Sequence, residues 1–171
     1  RVDRAGDEFS SGLRSYEQMT DLALTAREIV DRSLYMVLGT ADESGSPWVS
    51  PVYFAVSDYT DFYWVSLPDA QHSRNLAARP EVSIVVFDSS VPIGTGQGVY
   101  MSARAEELEG EVLERGIEVF AHRSEEHGGR SWSADDVRPP APRRLYRASV
   151  NQHWMLDKEA RPGDRRTPVT P

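Results

Sequence analysis

The sequence predicts a mainly β protein, an antiparallel barrel of six strands flanked by helices. Six segments carry strand patterns, most of them with the apolar-polar period of two that a half-buried strand requires. Short turn segments near Gly45 and Tyr59 join successive strands and exclude the long crossovers of a parallel sheet. Only two long segments have the 3.6-residue period of an amphipathic helix, so helices flank the sheet rather than alternate with its strands.

The first predicted elements are one helix and three strands. Thr20 is a suitable N-cap for a helix over residues 20–33, whose apolar side chains recur on one face. The period then changes from 3.6 to two, and the third strand is rich in the aromatic residues that favour strands. These three strands are predicted over residues 34–40, 49–56 and 62–66.

The second half of the chain continues the same pattern. A single short helix follows residue 66 and must end before Pro80, because the proline ring disfavours helical geometry at the preceding residue. A second long helix is predicted from residue 111 to about residue 127. The remaining strands are predicted over residues 82–87, 99–108 and 144–156.

The chain of 171 residues is predicted to form one folded domain, since this length suffices for a single sizeable core and no internal repeat is present. Residues 1–19 are polar and without a sustained period, and we expect them to form a flexible arm. Residues 20–157 form the predicted barrel domain. Residues 158–171 form a predicted polar tail.

Composition excludes several classes of function. The formal net charge of −8 argues against a nucleic-acid or anionic-membrane partner, because both favour a basic surface. No apolar run approaches the roughly 20 residues of a membrane span. The chain has no cysteine, which excludes disulfides, thiol nucleophiles and thiolate metal sites. No signal peptide is recognised, so the cytoplasm is the expected location.

A group of polar residues follows the third predicted strand. Ser66 ends that strand, and His72, Ser73, Arg74 and Asn75 come six to nine residues later on the short helix. Backbone N–H groups at a helix start, hydroxyls and a planar guanidinium are the groups that bind a phosphate monoester. The residues alone leave two readings open, a phosphate-binding corner and an ordinary surface helix with a solvated arginine.

Together these features resemble the pyridoxamine 5′-phosphate oxidase-like proteins, which are FMN-binding split β-barrels. The resemblance rests on the order of the elements, the segment 45–54, the corner 66–80 and the strand 82–87, and covers residues 20 to about 110. It implies a split barrel that pairs as a homodimer. It also implies flavin mononucleotide (FMN), or in some branches the deazaflavin F420, in a groove between subunits.

The resemblance implies particular cofactor contacts. The second strand would lie along the isoalloxazine ring, and the end of the third strand near the ribityl chain and the phosphate. The short helix would surround the phosphate, and a glycine-rich loop would place a glutamine against the cofactor. In that order the residues are Ser50, Pro51, Val52 and Tyr53; Val65 and Ser66; His72, Ser73, Arg74 and Asn75; and Gln97.

Two departures from the family pattern bear on these expectations. His72 stands where the family often has a basic phosphate contact, and histidine is mostly neutral at pH 7 because its reference pKa is about 6.5. A phosphate dianion nearby would raise that pKa. The carboxy-terminal Arg-Leu-x-Pro of true pyridoxamine phosphate oxidases is absent, which argues against their substrate here.

The resemblance implies a flavin-dependent oxidoreductase acting on a small organic substrate by hydride or electron transfer. The cofactor carries that chemistry, so no catalytic side chain is named. One alternative is an F420-dependent reductase, although the only lysine, Lys158, and the acidic balance mildly favour FMN. A second alternative is a non-enzymatic protein that binds flavin or haem.

No metal site is predicted. His122 and His127 are the only two histidines close in sequence, and a spacing of five residues places them about 140° apart around a helix. A homodimer is also expected from exposed aromatic strand faces at Tyr53, Tyr63 and Trp64, since such patches mark interfaces.

Overall fold

The computed structural model describes residues 19–157 and 165–171. Most of the predicted arm and the first half of the predicted tail therefore lie outside the described residues. Three helices are described: α1 over residues 19–32, α2 over Gln71–Ala78 and α3 over Gly110–Glu126. A single 3₁₀ turn covers Ala134–Asp136.

Eight strands form one sheet. In chain order they are β1 Tyr35–Ala41, β2 Pro47–Tyr53, β3 Ala55–Ser57, β4 Asp61–Ser66, β5 Glu81–Phe87, β6 Gly98–Glu107, β7 Arg144–Asp157 and β8 Arg165–Val169. The sheet order is β2-β1-β5-β6-β7-β4-β3, with β8 paired to β7, and every pairing is antiparallel. The mainly β, antiparallel split barrel that the sequence predicts is confirmed.

The strand count differs from the six predicted because of two segments. The predicted strand 49–56 divides at Phe54, so that β2 pairs with β1 while β3 pairs with β4. The two ends of the sheet path are thus consecutive in the chain, and the sheet curls back on itself. The eighth strand, Arg165–Val169, pairs with β7 although it falls in the predicted polar tail. The sequence did not predict this strand, because two arginines and a proline are not typical of a strand, and proline is tolerated mainly in edge strands.

The main core fills the inside of this curled sheet. Its fully buried members include Phe54, Phe62 and Trp64, and Ala26 and Val30 of α1 close one end. Every second residue of β1 and β5 is buried, which is the pattern of strands with one face on a core. Trp64 was expected on an exposed face and lies fully inside.

A second core cluster lies between α3 and the outer surface of β3, β4 and β7. Leu113, Ile117 and Phe120 of α3 pack there against Tyr63 and Leu145. Tyr63 is only 8% exposed, so the expectation of an exposed aromatic face at this position is wrong. The cause is that α3 covers the polar-looking face of β4, which the sequence of the strand alone does not reveal.

The close approach of α3 to the sheet depends on Gly116. A Cβ atom built there would lie 2.9 Å from Cε1 of Tyr63, 3.0 Å from Cδ1 of Leu108 and 3.1 Å from Cδ2 of Leu145. All three neighbours are themselves buried.

Among the described residues, no helix has the length and apolar character needed to cross a bilayer.

Replacing Gly116 with alanine tests this packing. Alanine is a better helix former than glycine by about 1 kcal/mol, yet overpacking of a filled core costs about 1–3 kcal/mol. We expect Gly116→Ala to lower the free energy of unfolding by about 1 kcal/mol, as measured by urea denaturation. Arg115→Ala, at an exposed neighbouring position, is the control and should change it by less than about 0.5 kcal/mol. A stabilised Gly116→Ala protein would show that the helix has room to move away.

Candidate functional site

A cavity of about 620 Å³ opens where β2 and β4 end and α3 passes over them. This volume lies within the range of about 300–1,000 Å³ that small-molecule sites occupy. Three parts of the chain build it: the ends of the two strands, the last turns of α3, and the segment that follows α3. Val52 packs against the main core, and Tyr53, Val65 and Phe120 belong to or pack against the second cluster, so both core clusters adjoin the cavity.

Six of the predicted cofactor contacts line this cavity. They are Pro51, Val52, Tyr53, Val65, Ser66 and His72. The residues come from β2, the end of β4 and the start of α2, segments up to 21 positions apart in sequence. Barrel closure at Phe54 brings β2 next to β4, and so assembles them. Their contact with a cofactor stays a prediction.

One end of the cavity is a connected polar cluster around His72. Oγ of Ser66 lies 2.7 Å from Nε2 of His72, and Nδ1 of His72 lies 3.2 Å from Oγ of Ser50. Nε1 of Trp48 donates to Oγ of Ser50 at 3.1 Å. His72 is 9% exposed, and burial lowers the pKa of its imidazole. The ring is therefore neutral near pH 7, so this end of the cavity is polar without carrying a charge.

The remaining predicted residues of α2 do not line the cavity. Ser73 and Asn75 are buried against the barrel, where Nδ2 of Asn75 donates to Oγ1 of Thr40 at 3.0 Å. Arg74 is exposed, and its guanidinium donates to the carbonyl of Asp69 and to Oε1 of Gln71. Its expected phosphate contact is not supported by this orientation. The helix itself ends as predicted, because residue 79 is extended before the proline.

The predicted glutamine lies elsewhere. Gln97 lines a second cavity of about 570 Å³, between α1 and the loop that follows β5. Leu34 and Tyr35 line both cavities, so the two adjoin along the start of β1. Gln97 therefore lies in the neighbouring cavity and does not line the first one. Its contact with a cofactor stays a prediction.

Sequence reasoning did not assign to the site an aromatic and basic wall that continues from Tyr53. The rings of Tyr53 and Phe120 meet edge to face with centroids 5.6 Å apart, as do those of Phe120 and Trp132. The guanidinium of Arg130 lies 3.8 Å from the ring centroid of Trp132. These residues and Arg143 line the cavity. The segment has no strand or helix period, so the only signal in the sequence was its content of tryptophan, arginine and glycine.

Two glycines turn the chain from α3 into this wall. Gly128 has a φ of 73°, the left-handed region that glycine adopts without strain. A Cβ on Gly129 would lie 2.4 Å from Oγ of Ser124, and the amide of Gly129 donates to the carbonyl of Ser124 at 2.7 Å. The turn is therefore tight enough to direct the following residues back across the cavity.

Arg123 fixes the end of α3 to the rest of the molecule. Its Nη2 lies 3.2 Å from the carbonyl oxygens of Val30 and Asp31 and 2.9 Å from that of Ser33. These carbonyls belong to the end of α1, where helix acceptors lack partners within the helix. The guanidinium also lies 5.0 Å from the ring centroid of Phe54. The end of α3, which lines the cavity, thus contacts Phe54, the residue at which the barrel closes.

Comparison with known families places the chain. The sequence profile of the family described as pyridoxamine 5′-phosphate oxidase matches residues 23–157. The chain belongs to this family. The resemblance found in the segments 45–54 and 66–80 is confirmed. The match extends through β7, further than the resemblance reached.

Solved structures share the fold at low identity. HutZ, a haem storage protein from Vibrio cholerae, is 23% identical over 77% of this chain and 91% of its own, with a TM-score of 0.63. An F420 reductase is 18% identical over 75% and 94%, with a TM-score of 0.56. An FAD-binding protein from Mesorhizobium loti is 23% identical over 78% and 92%, with a TM-score of 0.56. No curated protein matches the chain.

These three proteins share the fold and differ in the ligand that their names state, so the fold alone does not determine what this cavity binds. The described residues contain no cluster of three or more histidine, aspartate or glutamate side chains that could hold a metal ion. The cavity offers aromatic and apolar walls, a neutral hydroxyl-imidazole end and arginines. Such an arrangement suits an organic ligand with a flat ring and an anionic group.

The buried histidines predict how stability depends on pH. Burial lowers the pKa of His72 and of His153, the latter against an opposing bond to the carbonyl of Tyr59. The unfolded chain, with histidine pKa values of about 6.5, takes up protons first as pH falls. We therefore expect the free energy of unfolding to fall between pH 7.5 and pH 5, as measured by urea denaturation.

His72→Gln separates the contribution of this site. The variant lacks one of the two buried imidazoles, so its loss of stability over the same pH range should be smaller. His122→Gln is the control, since His122 is exposed on α3 and paired with Glu126, and it should keep the wild-type loss. An unchanged loss in His72→Gln would mean that the ring takes up a proton as readily in the folded as in the unfolded protein, against the lowered pKa.

Proposed function

We propose that this protein is an FMN-binding oxidoreductase that acts on a small organic substrate by hydride or electron transfer and works as a homodimer. The observation that carries the proposal is the cavity at the ends of β2 and β4. It joins apolar and aromatic walls to a cluster of hydroxyls around His72, and most of the predicted contacts line it. Membership of the pyridoxamine 5′-phosphate oxidase family supports the choice of flavin.

The residues present fit the two parts of FMN. Pro51, Val52 and Tyr53 form one wall, with the edge-to-face rings of Phe120 and Trp132 continuing it, and such a surface suits a flat heteroaromatic ring. Ser66 and His72 would hold the phosphate through hydrogen bonds. Arg143 lines the same cavity, and among the described residues its side chain forms no ion pair, so its charge is available to an anion.

A bound flavin supplies the hydride or electron transfer itself. The side chains of the protein would bind the flavin, orient it and exclude water from its ring. The buried ring of Phe120 and the half-buried ring of Trp132 extend the wall from Tyr53, and would keep water from that side of the ring site. Val52, packed on the barrel core, is a rigid floor. The substrate would enter from the side left open.

Charge at the cavity favours FMN over F420. Several free cations would be needed to bind the oligoglutamate tail of F420. Arg144 is paired with Glu107 at 3.3 Å and Arg147 with Glu106 at 2.5 Å, so the charges of these two arginines on β7 are already compensated. Arg130 is likewise paired with Asp136 at 2.6 Å. Among the described residues that line the cavity, Arg143 is the one arginine without an ion pair, and one phosphate matches it better than a polyanion does.

A second candidate, haem binding, has one observation in its favour. His127 lines the same cavity, and its Nδ1 lies 2.8 Å from the carbonyl oxygen of Arg123. A histidine whose Nδ1–H donates to a carbonyl keeps the lone pair on Nε2, which is the arrangement common to metal-ligating histidines. The aromatic walls suit a porphyrin as well as a flavin.

The arginines provide a test of the phosphate site. Arg143→Ala should weaken FMN binding about fivefold, the size expected of an exposed charge-assisted hydrogen bond. It should leave riboflavin, which lacks the phosphate, nearly unchanged. Flavin fluorescence quenching measures both. Arg74→Ala is the matched comparison and should change FMN binding less than twofold, because its guanidinium is engaged on α2. An equal loss in Arg74→Ala would instead favour the contact expected from the sequence.

The same protein titrated with F420 and with haemin separates the candidates. Tighter binding of F420 than of FMN would overturn the choice of flavin. A haemin complex whose Soret band shifts in His127→Ala, with weak FMN binding, would favour the haem carrier. Flavin bound without turnover by any reductant or acceptor would favour a non-enzymatic flavin protein.

The homodimer is supported by a different surface from the one expected. Tyr63 and Trp64 are buried, whereas Tyr35, Trp48 and Val49 are 60%, 50% and 66% exposed on β1 and β2. An open groove of about 490 Å³ crosses the outer face of β1, β2, β5 and β6 beside them and is lined largely by small and apolar residues. An apolar surface of this kind usually marks an interface, and a two-fold pair is the commonest way to bury it.

Val49→Glu tests this surface. A carboxylate at the centre of a dimer interface would be buried without a partner, so we expect the variant to sediment as a monomer at micromolar concentration while the wild type sediments as a dimer. Leu24→Glu, at an exposed position on α1, is the control and should remain dimeric. A monomeric wild type would contradict the proposed assembly.

A further inference from the structure

We propose that Trp48 and Ser50 are positioning residues: they fix the tautomer of His72 and so hold the hydroxyl of Ser66 as a hydrogen-bond donor into the cavity. The ligand group so recognised is one with only acceptor oxygens, such as a phosphate. The inference rests on the proposed function in one respect, since the phosphate is taken to be that of FMN. The order of the hydrogen bonds does not depend on it.

The direction of this series of hydrogen bonds is set first at Trp48. An indole Nε1–H can donate and cannot accept. The bond of 3.1 Å from Nε1 of Trp48 to Oγ of Ser50 therefore has one sense, with the serine oxygen as acceptor. Both residues lie on β2 and point to the same side of the strand, because they are two positions apart.

The direction continues through Ser50. A serine hydroxyl has one proton to donate. Within the described part of the chain, the only other side-chain partner of Oγ of Ser50 is Nδ1 of His72, at 3.2 Å. If an Nδ1–H donated to Ser50 instead, Oγ would accept two N–H groups and its own proton would have no partner among the described residues. The order that satisfies every group gives the proton of Ser50 to Nδ1, which then carries a lone pair.

The ring then has its single proton on Nε2. His72 is 9% exposed, and burial favours its neutral form. Both of its ring nitrogens bond to hydroxyls, and among the described residues no carboxylate bonds to it. A neutral imidazole with Nδ1 unprotonated is the Nε2–H tautomer, and this N–H donates to Oγ of Ser66 at 2.7 Å.

The consequence lies at Ser66. Because the oxygen accepts from His72, its own proton is free of the ring, and Ser66 lines the cavity. The opposite order would leave a lone pair facing the ligand, which would repel a phosphate oxygen. The chain of three bonds thus gives an uncharged site a definite donor, in place of the positive charge that a lysine would supply.

The tautomer can be measured without any ligand. Long-range ¹H–¹⁵N correlation NMR of protein labelled with [¹⁵N]histidine distinguishes the two neutral tautomers, and His72→Gln identifies the signal. At pH 7.5 the flavin-free wild type should show His72 protonated on Nε2 only. Ser50→Ala removes the donor to Nδ1, so the Nδ1–H form should appear in that variant. Trp48→Phe should move the signal the same way and to a smaller extent.

The effect on recognition is read from two ligands. In Ser50→Ala the ratio of FMN affinity to riboflavin affinity should fall about threefold to fivefold, the size of one neutral hydrogen bond. Ser102→Ala is the control, since this half-buried strand serine has no side-chain hydrogen bond among those described. It should change neither the tautomer nor the ratio. The His153 signal reports whether each variant keeps its fold, because Nε2 of that ring bonds to the carbonyl of Tyr59 at 2.7 Å inside the barrel.

The outcomes separate this inference from the proposed function. A wild-type His72 protonated on Nδ1 would overturn it, as would an Nε2–H form that persists unchanged in both Ser50→Ala and Trp48→Phe. A shifted tautomer with an unchanged affinity ratio would overturn the role in recognition. If neither flavin binds, the proposed function fails, and the tautomers measured without ligand still decide whether Trp48 and Ser50 act as proposed.

Discussion

The barrel closes at a single residue, Phe54. It joins β2 and β3, the strands at the two ends of the sheet order, and the position of the site depends on this connection. β2 pairs with β1 at one end and β3 with β4 at the other, so the barrel must close where this buried side chain lies. The same closure sets the end of β2 beside the end of β4. Apolar residues and hydroxyls far apart in sequence thereby meet around one cavity, and the chemistry of the site is a consequence of the topology.

The polar end of the cavity is built on neutral groups. The imidazole of His72 is buried between Ser50 and Ser66, and burial of an unpaired charge would cost several kcal/mol. The arginines nearby are mostly paired with carboxylates on β6 or in the segment after α3. Binding of an anion would therefore depend on directed hydrogen bonds more than on net charge, which agrees with a chain whose formal charge is −8.

The period of the sequence predicted the strands, and Pro80 predicted the end of α2, because both depend on local geometry. The sequence pattern could not predict burial or strand pairing that depends on residues far away in the chain. Tyr63 is buried by α3, and β8 pairs with β7 despite its polar residues. The wall around Trp132 has no regular period. At the site, the segments were predictable, whereas the direction of the Arg74 side chain was not, since it depends on contacts with the Asp69 carbonyl and Gln71 that the sequence pattern does not reveal.

The three carbonyls that Arg123 holds restrict how anything could enter the cavity. Because one guanidinium joins the carboxy-terminal ends of α1 and α3 above Phe54, the two helices cannot separate without breaking all of these bonds at once. Among the described residues, the segment 130–133 forms no hydrogen bond to α1, and its bonds go to α3 and to Asp136. If the cavity binds a ligand as proposed, exchange of that ligand would displace the segment carrying Trp132 and leave α1 and α3 in place.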